Sequence, residues 1–209
     1  GKVSFYNETS DGPIKPTPLI GVLGLIEKSP LLPLPPKEND IVLLLGETKG
    51  ELGGSEYYEY VHNFTGGTVP KVDIPTSKKN MTSVLSLISK KLVKHVHDCS
   101  KGGLAVALSE LCIFGKVGCH VNLKNVSNIP IEESLFSESH SRYLLVVEKK
   151  NINSIKELLS KNKCSFSQIG IFSSDQIVFT SATKPILKLR VDKAENLYLN
   201  SLERIIKNG

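Results

Sequence analysis

Apolar and polar stretches alternate from residue 40 onward in a way that predicts strands and helices in turn. Residues 41–45 form an unbroken apolar run that ends at Gly46, as expected of a buried strand. Apolar residues recur at helical spacing through residues 77–92. The other predicted strands are 93–97, 118–123, 142–147, 165–172, 176–180 and 186–191, and the other predicted helices are 55–63, 103–114, 152–160 and 193–206. The pattern predicts an α/β (α+β) domain.

The last part of the pattern indicates how the strands are arranged. Residues 173–175 are few and polar, so the strands at 165–172 and 176–180 are predicted to form a hairpin. A hairpin is antiparallel, whereas alternating strands and helices favour parallel neighbours. The sequence therefore predicts a mixed sheet with helices packed on it.

The first 36 residues follow a different pattern. Residues 3–6 predict a strand without a lead-in, and a second apolar run follows at 19–26. Two strands cannot form an independent core, so residues 1–29 are predicted to be the strand remnant of a neighbouring sheet domain. Prolines disfavour helix and interior strand through residues 30–36, which we take as a linker before an α/β domain at 37–209. The glycine at position 1 indicates a fragment of a larger polypeptide.

Composition narrows the possible partners. Hydrophobic residues make up 40% of the chain and charged residues 22%, as in a globular protein with a conventional core. The net charge of +5 is mild and the basic residues are scattered, so no nucleic-acid surface is predicted. No stretch has the roughly 18 apolar residues of a membrane helix. The four cysteines lack CxxC spacing, which favours reduced thiols in the cytoplasm.

The segment at residues 97–107 carries the most informative local pattern. An apolar strand ends at Asp98, a turn with Gly102 and Gly103 follows, and an Ala/Leu-rich helix begins. Ser100 is predicted to cap that helix, and the glycines would let a phosphate approach its amino end. Asp98 could hold a magnesium ion that bridges such a phosphate. A tight turn that binds nothing explains the same residues, and the pattern alone does not decide between the two.

Three weaker motifs have simpler explanations. His95 and His97 share one face of a strand, but no further ligand stands at a suitable spacing, so a structural role is favoured over a metal site. The polar segment 137–142 could bind phosphate or sugar hydroxyls, although a solvated loop is favoured. The glycine turn at 51–57 is predicted to enter a helix with Ser55 as its cap.

Taken in order, five stretches of the chain resemble the C-terminal part of the large (synthetase) subunit of phosphoribosylformylglycinamidine synthase, within the aminoimidazole ribonucleotide synthetase-like superfamily. They are residues 1–9 (GKVSFYNET), 16–24 (PTPLIGVLG), 50–57 (GELGGSEY), 97–105 (HDCSKGGLA) and 135–142 (LFSESHSR). The first and fourth are the most diagnostic. The resemblance implies a duplicated protein in which each half is a sheet domain followed by an α/β domain.

The resemblance also implies roles for residues. In that family the first stretch gives a glycine to ATP, an asparagine to magnesium and a serine to the substrate, at positions that are Gly1, Lys2 and Ser4 here. Lys2 replaces the asparagine and cannot ligate a cation, so no metal ligand is carried over. The family's metal- and substrate-binding aspartate and Glu-Ser-Gln stretch have counterparts at Asp98 and at residues 138–140, which implies an auxiliary phosphate or nucleotide site. With the turn residues from the local pattern, that site is predicted at Asp98, Ser100, Gly102, Gly103, Glu138 and Ser139. The family's catalytic histidine has no counterpart in this chain.

The function implied is that of an ATP-dependent carbon–nitrogen ligase of purine biosynthesis, with ATP and Mg²⁺ as cofactors. It converts formylglycinamide ribonucleotide and glutamine-derived ammonia to the amidine, together with the N-terminal half of the polypeptide, a glutaminase subunit and a small bridging subunit. The 209 residues alone are expected to be inactive. The alternatives are another enzyme of the superfamily, such as aminoimidazole ribonucleotide synthetase, or a non-catalytic nucleotide-binding or assembly module.

Overall fold

The structure of the protein, a computed structural model, describes residues 8–10, 12–13, 20–25 and 33–208. Near the amino end, β1 (Glu8–Thr9) pairs antiparallel with β2 (Gly12–Pro13). Residues 20–25 are exposed and form neither helix nor strand, so the second apolar run does not give a strand there. The strand predicted at residues 3–6 lies outside the described residues.

The rest of the described chain alternates between strands and helices as the sequence predicts. The strands are β3 (Ile41–Leu45), β4 (His95–Asp98), β5 (Cys119–Asn122), β6 (Tyr143–Val147), β7 (Phe166–Phe172), β8 (Gln176–Ser181) and β9 (Lys184–Arg190). The helices are α1 (Glu56–His62), α2 (Ile74–Ser89), α3 (Gly103–Gly115), α4 (Ile131–Phe136), α5 (Ile152–Lys161) and α6 (Val191–Asn208). Helix α4 was not predicted. Within the described ranges, no helix has both the length and the apolar character needed to cross a membrane.

Strands β3 to β9 form one seven-stranded mixed sheet in the order β4-β6-β3-β7-β5-β8-β9. Strands β5 and β8 are parallel, and all other neighbours in this sheet are antiparallel. The predicted fold class is confirmed. The predicted hairpin between β7 and β8 is wrong, because β5 lies between these strands and pairs with both. The late hairpin instead joins β8 to β9.

Helices cover both faces of the central strands. Along β3, Val42 and Leu44 pack in the cluster that contains the buried leucines of α3, whereas Ile41, Leu43 and Leu45 pack against α2 and α5. Strand β6 divides its residues between the two clusters in the same way. Burial on both faces explains why β3 and β6 are continuous apolar runs rather than alternating ones.

The proline-rich stretch is in contact with the domain over its described part, residues 33–36. The backbone N–H of Leu34 donates to the carbonyl of Lys94, with an N–O distance of 3.0 Å, beside the edge strand β4. The carbonyl of Pro36 lies against Gly115, where an added Cβ would come within 2.7 Å of it. This segment therefore follows the sheet edge and the end of α3.

Candidate functional site

The turn between β4 and α3 is shaped by two glycines. Gly102 is the N-cap of α3 with a φ of 74°, and Gly103 has a φ of 63°. Because Gly102 has no side chain, the cap position itself offers no acceptor to this helix. The hydroxyl of Ser100 donates instead to the carboxylate of Asp98. The prediction that Ser100 caps α3 is therefore wrong, because a glycine occupies the cap position and the serine lies two residues before it.

A carboxylate from a distant loop reaches the amino end of α3. Oε1 of Glu138 accepts hydrogen bonds from the backbone N–H of Gly102 and from that of Glu56, with N–O distances of 2.9 Å in both cases. Glu56 is the first residue of α1. One oxygen atom therefore joins the starts of two helices to the loop that follows α4.

Gly103 makes the close approach of this loop possible. A Cβ at this position would lie 2.4 Å from the carbonyl oxygen of Ser137 and 2.9 Å from the carbonyl carbon of Phe136. Those contacts involve backbone atoms, which cannot rotate away as a side chain could. Glycine at 103 therefore serves the packing of α3 against the end of α4, whose cap is Ser137.

Arg142 supports the same loop from inside. Its side chain is only 1% exposed, and its guanidinium donates to the carbonyls of Ser137 and Ser139 and to the hydroxyl of Thr48. No carboxylate forms an ion pair with it within the described residues, and burial lowers the pKa of Arg142. The guanidinium therefore stabilises the loop, because its N–H groups donate hydrogen bonds to protein oxygens.

A cavity of about 380 Å³ opens beside this turn. Of the six residues predicted for the auxiliary site, Asp98, Ser100 and Glu138 line it, together with residues 99, 101 and 140–143. The other three, Gly102, Gly103 and Ser139, do not line it. The buried hydroxyl of Ser139 accepts a hydrogen bond from the backbone N–H of Lys49. The predicted ATP and substrate residues, Gly1 and Ser4, lie outside the described residues, as does Lys2.

The charges around the cavity are partly paired. Lys101 is 83% exposed and forms an ion pair with Glu56, with an Nζ–Oε1 distance of 2.6 Å, and the hydrogen bond in this pair raises the pKa of Lys101. Asp98 remains 63% exposed. Burial raises the pKa of the Cys99 thiol to about 11, so this cysteine is not a ready nucleophile at neutral pH.

The two histidines of β4 contact side chains of α3. Nε2 of His97 lies 2.8 Å from Oε2 of Glu110 on α3. The ring of His95 packs edge-on against Phe114 at 5.3 Å between centroids, and burial lowers the pKa of His95. Among the residues that the structure describes, no group of three or more His, Cys, Asp or Glu side chains is arranged to hold a metal ion.

The sequence did not indicate which groups would meet at this turn. Glu56 and Thr48 were not singled out, although Glu56 supplies both an N–H to Glu138 and a carboxylate to Lys101. The sequence signals for Glu56 are its place directly after the predicted cap Ser55 and within the family-matching stretch 50–57, and neither indicates a contact with Glu138 or Lys101. Thr48 offered none, because its role depends on Arg142, which is 94 residues away in the chain.

The chain is similar in sequence to a protein family and to individual proteins. A family model described as AIR synthase related protein, C-terminal domain, matches residues 37–181. The phosphoribosylformylglycinamidine synthase subunit PurL of Thermococcus sibiricus is 39% identical over 210 residues, which cover 99% of this chain and 29% of the relative. The chain thus spans less than a third of the length of the curated relatives it matches.

Solved structures resemble the fold. A structure of T. maritima PurL complexed with FGAR has a TM-score of 0.71 and 18% identity, covering 79% of this chain and 29% of that one. A structure of T. maritima PurL complexed with ATP has a TM-score of 0.65 and 18% identity, covering 79% of this chain and 27% of that one. At this level of identity, the likeness establishes the arrangement of strands and helices.

Proposed function

Since the chain belongs to the AIR synthase related family, whose C-terminal domain it contains at residues 37–181, we propose that it is the C-terminal part of an ATP-dependent phosphoribosylformylglycinamidine synthase. The observation that carries this proposal is the 39% identity to the T. sibiricus subunit over 99% of the chain. The fold shared with T. maritima PurL, which has been solved with FGAR and with ATP, supports it.

The proposed reaction is the amidation of formylglycinamide ribonucleotide. ATP phosphorylates the formamide oxygen, and ammonia then displaces inorganic phosphate to leave the amidine, with ADP as the second product. Such chemistry depends on oriented phosphates and on groups that stabilise the developing charge. We propose that an N-terminal half of the same polypeptide supplies most of these groups, and that a glutaminase subunit supplies ammonia with the help of a small bridging subunit.

Residues of this chain would contribute in two places. Gly1 and Ser4 would contact ATP and substrate, as the family resemblance implies. The cavity beside α3 would hold the phosphates of an auxiliary nucleotide, with Asp98, Ser100 and Glu138 facing the ligand and Gly102, Gly103 and Ser139 close to them in the chain. A Mg²⁺ ion that accompanies those phosphates would be held by Asp98, because Mg²⁺ commonly takes one or two carboxylates together with phosphate oxygens.

An assay of the complete gene product tests the proposed reaction. With formylglycinamide ribonucleotide, ATP and ammonia, we expect inorganic phosphate to form in proportion to the amidine. The purified 209-residue chain should give no turnover under the same conditions. The assignment is wrong if the complete product releases no phosphate with this substrate, or if aminoimidazole ribonucleotide is formed instead.

A further inference from the structure

The described end of the proline-rich stretch, residues 33–36, lies where strand β4 begins and helix α3 ends. The backbone N–H of Leu34 donates to the carbonyl of Lys94 at 3.0 Å, directly before β4. Pro36 is buried and its carbonyl lies beside Gly115 at the end of α3, whereas the other residues of the segment are exposed. None of the four belongs to either hydrophobic cluster, so the segment can leave the domain surface without opening the core.

The ring of His95 lies at this contact, with one nitrogen bonded and the other without a partner. A hydrogen bond joins the ring to the backbone of Leu34, and the ring packs edge-on against Phe114 at 5.3 Å between centroids. Nδ1 is closed to solvent and, among the described residues, has no hydrogen-bond partner, so the bond to Leu34 uses Nε2. A neutral imidazole donates from one nitrogen only, whereas an imidazolium carries an N–H on both. Protonation would therefore create a buried N–H at Nδ1 without an acceptor, which is unfavourable.

The surroundings of His95 offer little compensation for a positive charge. The segment at residues 33–36 carries no titratable side chain. The side chains around the ring and at the adjoining end of α3 are apolar or already paired: Phe114 on α3, Val146 opposite on β6, His97 with Glu110, Lys94 with Asp40, and Lys116 with Glu195. Burial accordingly lowers the pKa of His95, the hydrogen bond with Leu34 opposes this shift, and the charge of His97 lowers the pKa further. The docked segment therefore favours a neutral ring.

We propose that His95 is a pH-sensitive switch for the docking of residues 33–36. With a neutral ring the segment docks on β4 and α3, and protonation of the ring releases it. Release removes Leu34 from the ring and admits water, which accepts the hydrogen bond that an Nδ1–H lacks in the docked state. Because the segment belongs to the predicted linker between the two predicted domains, a lower pH would loosen their connection. The inference does not depend on the proposed ligase reaction.

The direction of the pKa shift sets the pH range of the switch. Because the pKa of His95 is lowered in the docked state, docking is fully favourable above the ordinary His pKa of about 6.5 and weakens as the pH falls below it. Between about pH 7.5 and pH 5.5 the equilibrium constant for docking can fall by at most about tenfold, because over this range only the released state gains the proton.

Hydrogen exchange at the Leu34 amide measures the docking. Protection factors, which correct for the intrinsic pH dependence of exchange, are determined for the 209-residue chain over the same pH range. We expect the protection at Leu34 to fall severalfold, up to about tenfold, and the His95 ring to titrate below about pH 6.5 in NMR spectra of the same samples. A protection factor that does not change with pH, or a ring that titrates at or above the ordinary value, would overturn the proposal.

Two substitutions test whether the charge resides on His95. His95→Gln keeps a side-chain donor for Leu34 but does not titrate, so the protection at Leu34 should become independent of pH. His120→Gln, at an exposed histidine of β5, is the matched control and should retain the wild-type response. If His95→Gln does not fold, His95→Phe, whose ring can pack against Phe114, takes its place. An unchanged pH response in the non-titrating variant, or its loss in His120→Gln, would refute the role of His95.

Discussion

Helices α1 and α3 both have paired glycines and a serine at their amino ends, yet their first turns are held in different ways. In α1 the glycines come first, so Ser55 stands at the cap position and its hydroxyl accepts from the backbone N–H of Tyr58 at 3.3 Å. In α3 the serine comes first, so Gly102 stands at the cap and the acceptor is Glu138, 36 residues further along the chain. The order of the same residue types decides whether the cap position itself offers an acceptor, as in α1, or only the distant Glu138 does, as in α3, although Glu138 also accepts from the N–H of Glu56 in α1.

We call Ser55 the local cap of α1 and Glu138 the remote cap of α3. The difference matters because these two residues stabilise different parts of the molecule. Ser55 satisfies a donor within its own helix and ties α1 to nothing else. Glu138 satisfies a donor of α3 and at the same time fixes the loop at residues 137–142 against both helices. A change at the remote cap should therefore disturb the cavity wall, whereas a change at the local cap should affect α1 alone.

The largest loss of stability is expected from substitution of Gly103, which allows the loop at residues 137–142 to lie against α3. Gly103→Ala should lower the free energy of unfolding by about 3 kcal/mol, since the alanine would be strained at positive φ and would collide with the Ser137 carbonyl. Gly54→Ala is the matched control at the start of α1. Its φ of 69° is similar, but its nearest neighbour is a Val69 methyl at 3.4 Å, so only about 1–2 kcal/mol should be lost. Equal losses in urea denaturation would contradict the packing role of Gly103.

Removal of the remote cap itself should cost somewhat less. Glu138→Ala leaves two backbone N–H groups without their charged acceptor, and we expect a loss of about 2 kcal/mol. Hydrogen exchange at Gly102 and Glu56 should accelerate together, because both N–H groups bond to the same oxygen. Glu132→Ala, an exposed carboxylate on α4, is the control and should change neither. Acceleration at only one of the two positions would show that the shared contact is not the support.

The two serines provide the most direct test of the comparison. Ser55→Ala should cost about 1 kcal/mol through loss of the N-cap, whereas Ser100→Ala should cost less than about 0.5 kcal/mol, as is usual at exposed positions. Chemical denaturation of both variants under one set of conditions measures the difference. A loss at Ser100 as large as that at Ser55 would mean that Ser100 supports α3 after all.

A third helix start extends the comparison with a small, pH-dependent effect. Asp73 caps α2, and hydrogen bonds from the backbone and then the hydroxyl of Thr76 lower its pKa. A lowered pKa in the folded state means that this contribution is present above the ordinary Asp pKa of about 3.9 and is lost as the pH falls through the folded value. The deficit of Asp73→Asn relative to wild type should therefore stay constant above about pH 5 and shrink as the pH falls further, through the lowered folded pKa. If thermal denaturation shows a stability deficit that does not change as the pH falls, the charge of Asp73 does not contribute to the cap.

Much of the fold could be predicted from the sequence because its signals are local. The apolar runs of β3 and β6 and the helical spacing within α2 are visible in a short window of residues. Helix α4 has only six residues, too few to show a period. The pairing of β7 with β5 depends on a strand that lies more than 40 residues earlier, so no turn signal could indicate it.

The features of the site also divide into those that the sequence indicates locally and those that depend on tertiary structure. Asp98, Ser100 and Glu138 stand next to strand ends and helix starts, where polar residues attract notice, and all three line the larger cavity. That Oε1 of Glu138 would reach Gly102, or that Asn80 would be left with an unpartnered carbonyl oxygen, depends on how α2, α3 and α4 pack. Such contacts follow from tertiary structure and carry no local pattern.

The position of β5 between β7 and β8 has a kinetic consequence. Residues 173–175 pass over the start of β5, where the N–H of Gly118 donates to the carbonyl of Ser174 and the N–H of Ser173 donates to the carbonyl of Gly118. A direct hairpin of residues 166–181 closes a shorter loop than the native pairing, and short loops close first. The native sheet instead needs the more distant pairings of β5 with β7 and β8, so we expect it to form more slowly than a sheet with a direct β7–β8 hairpin would.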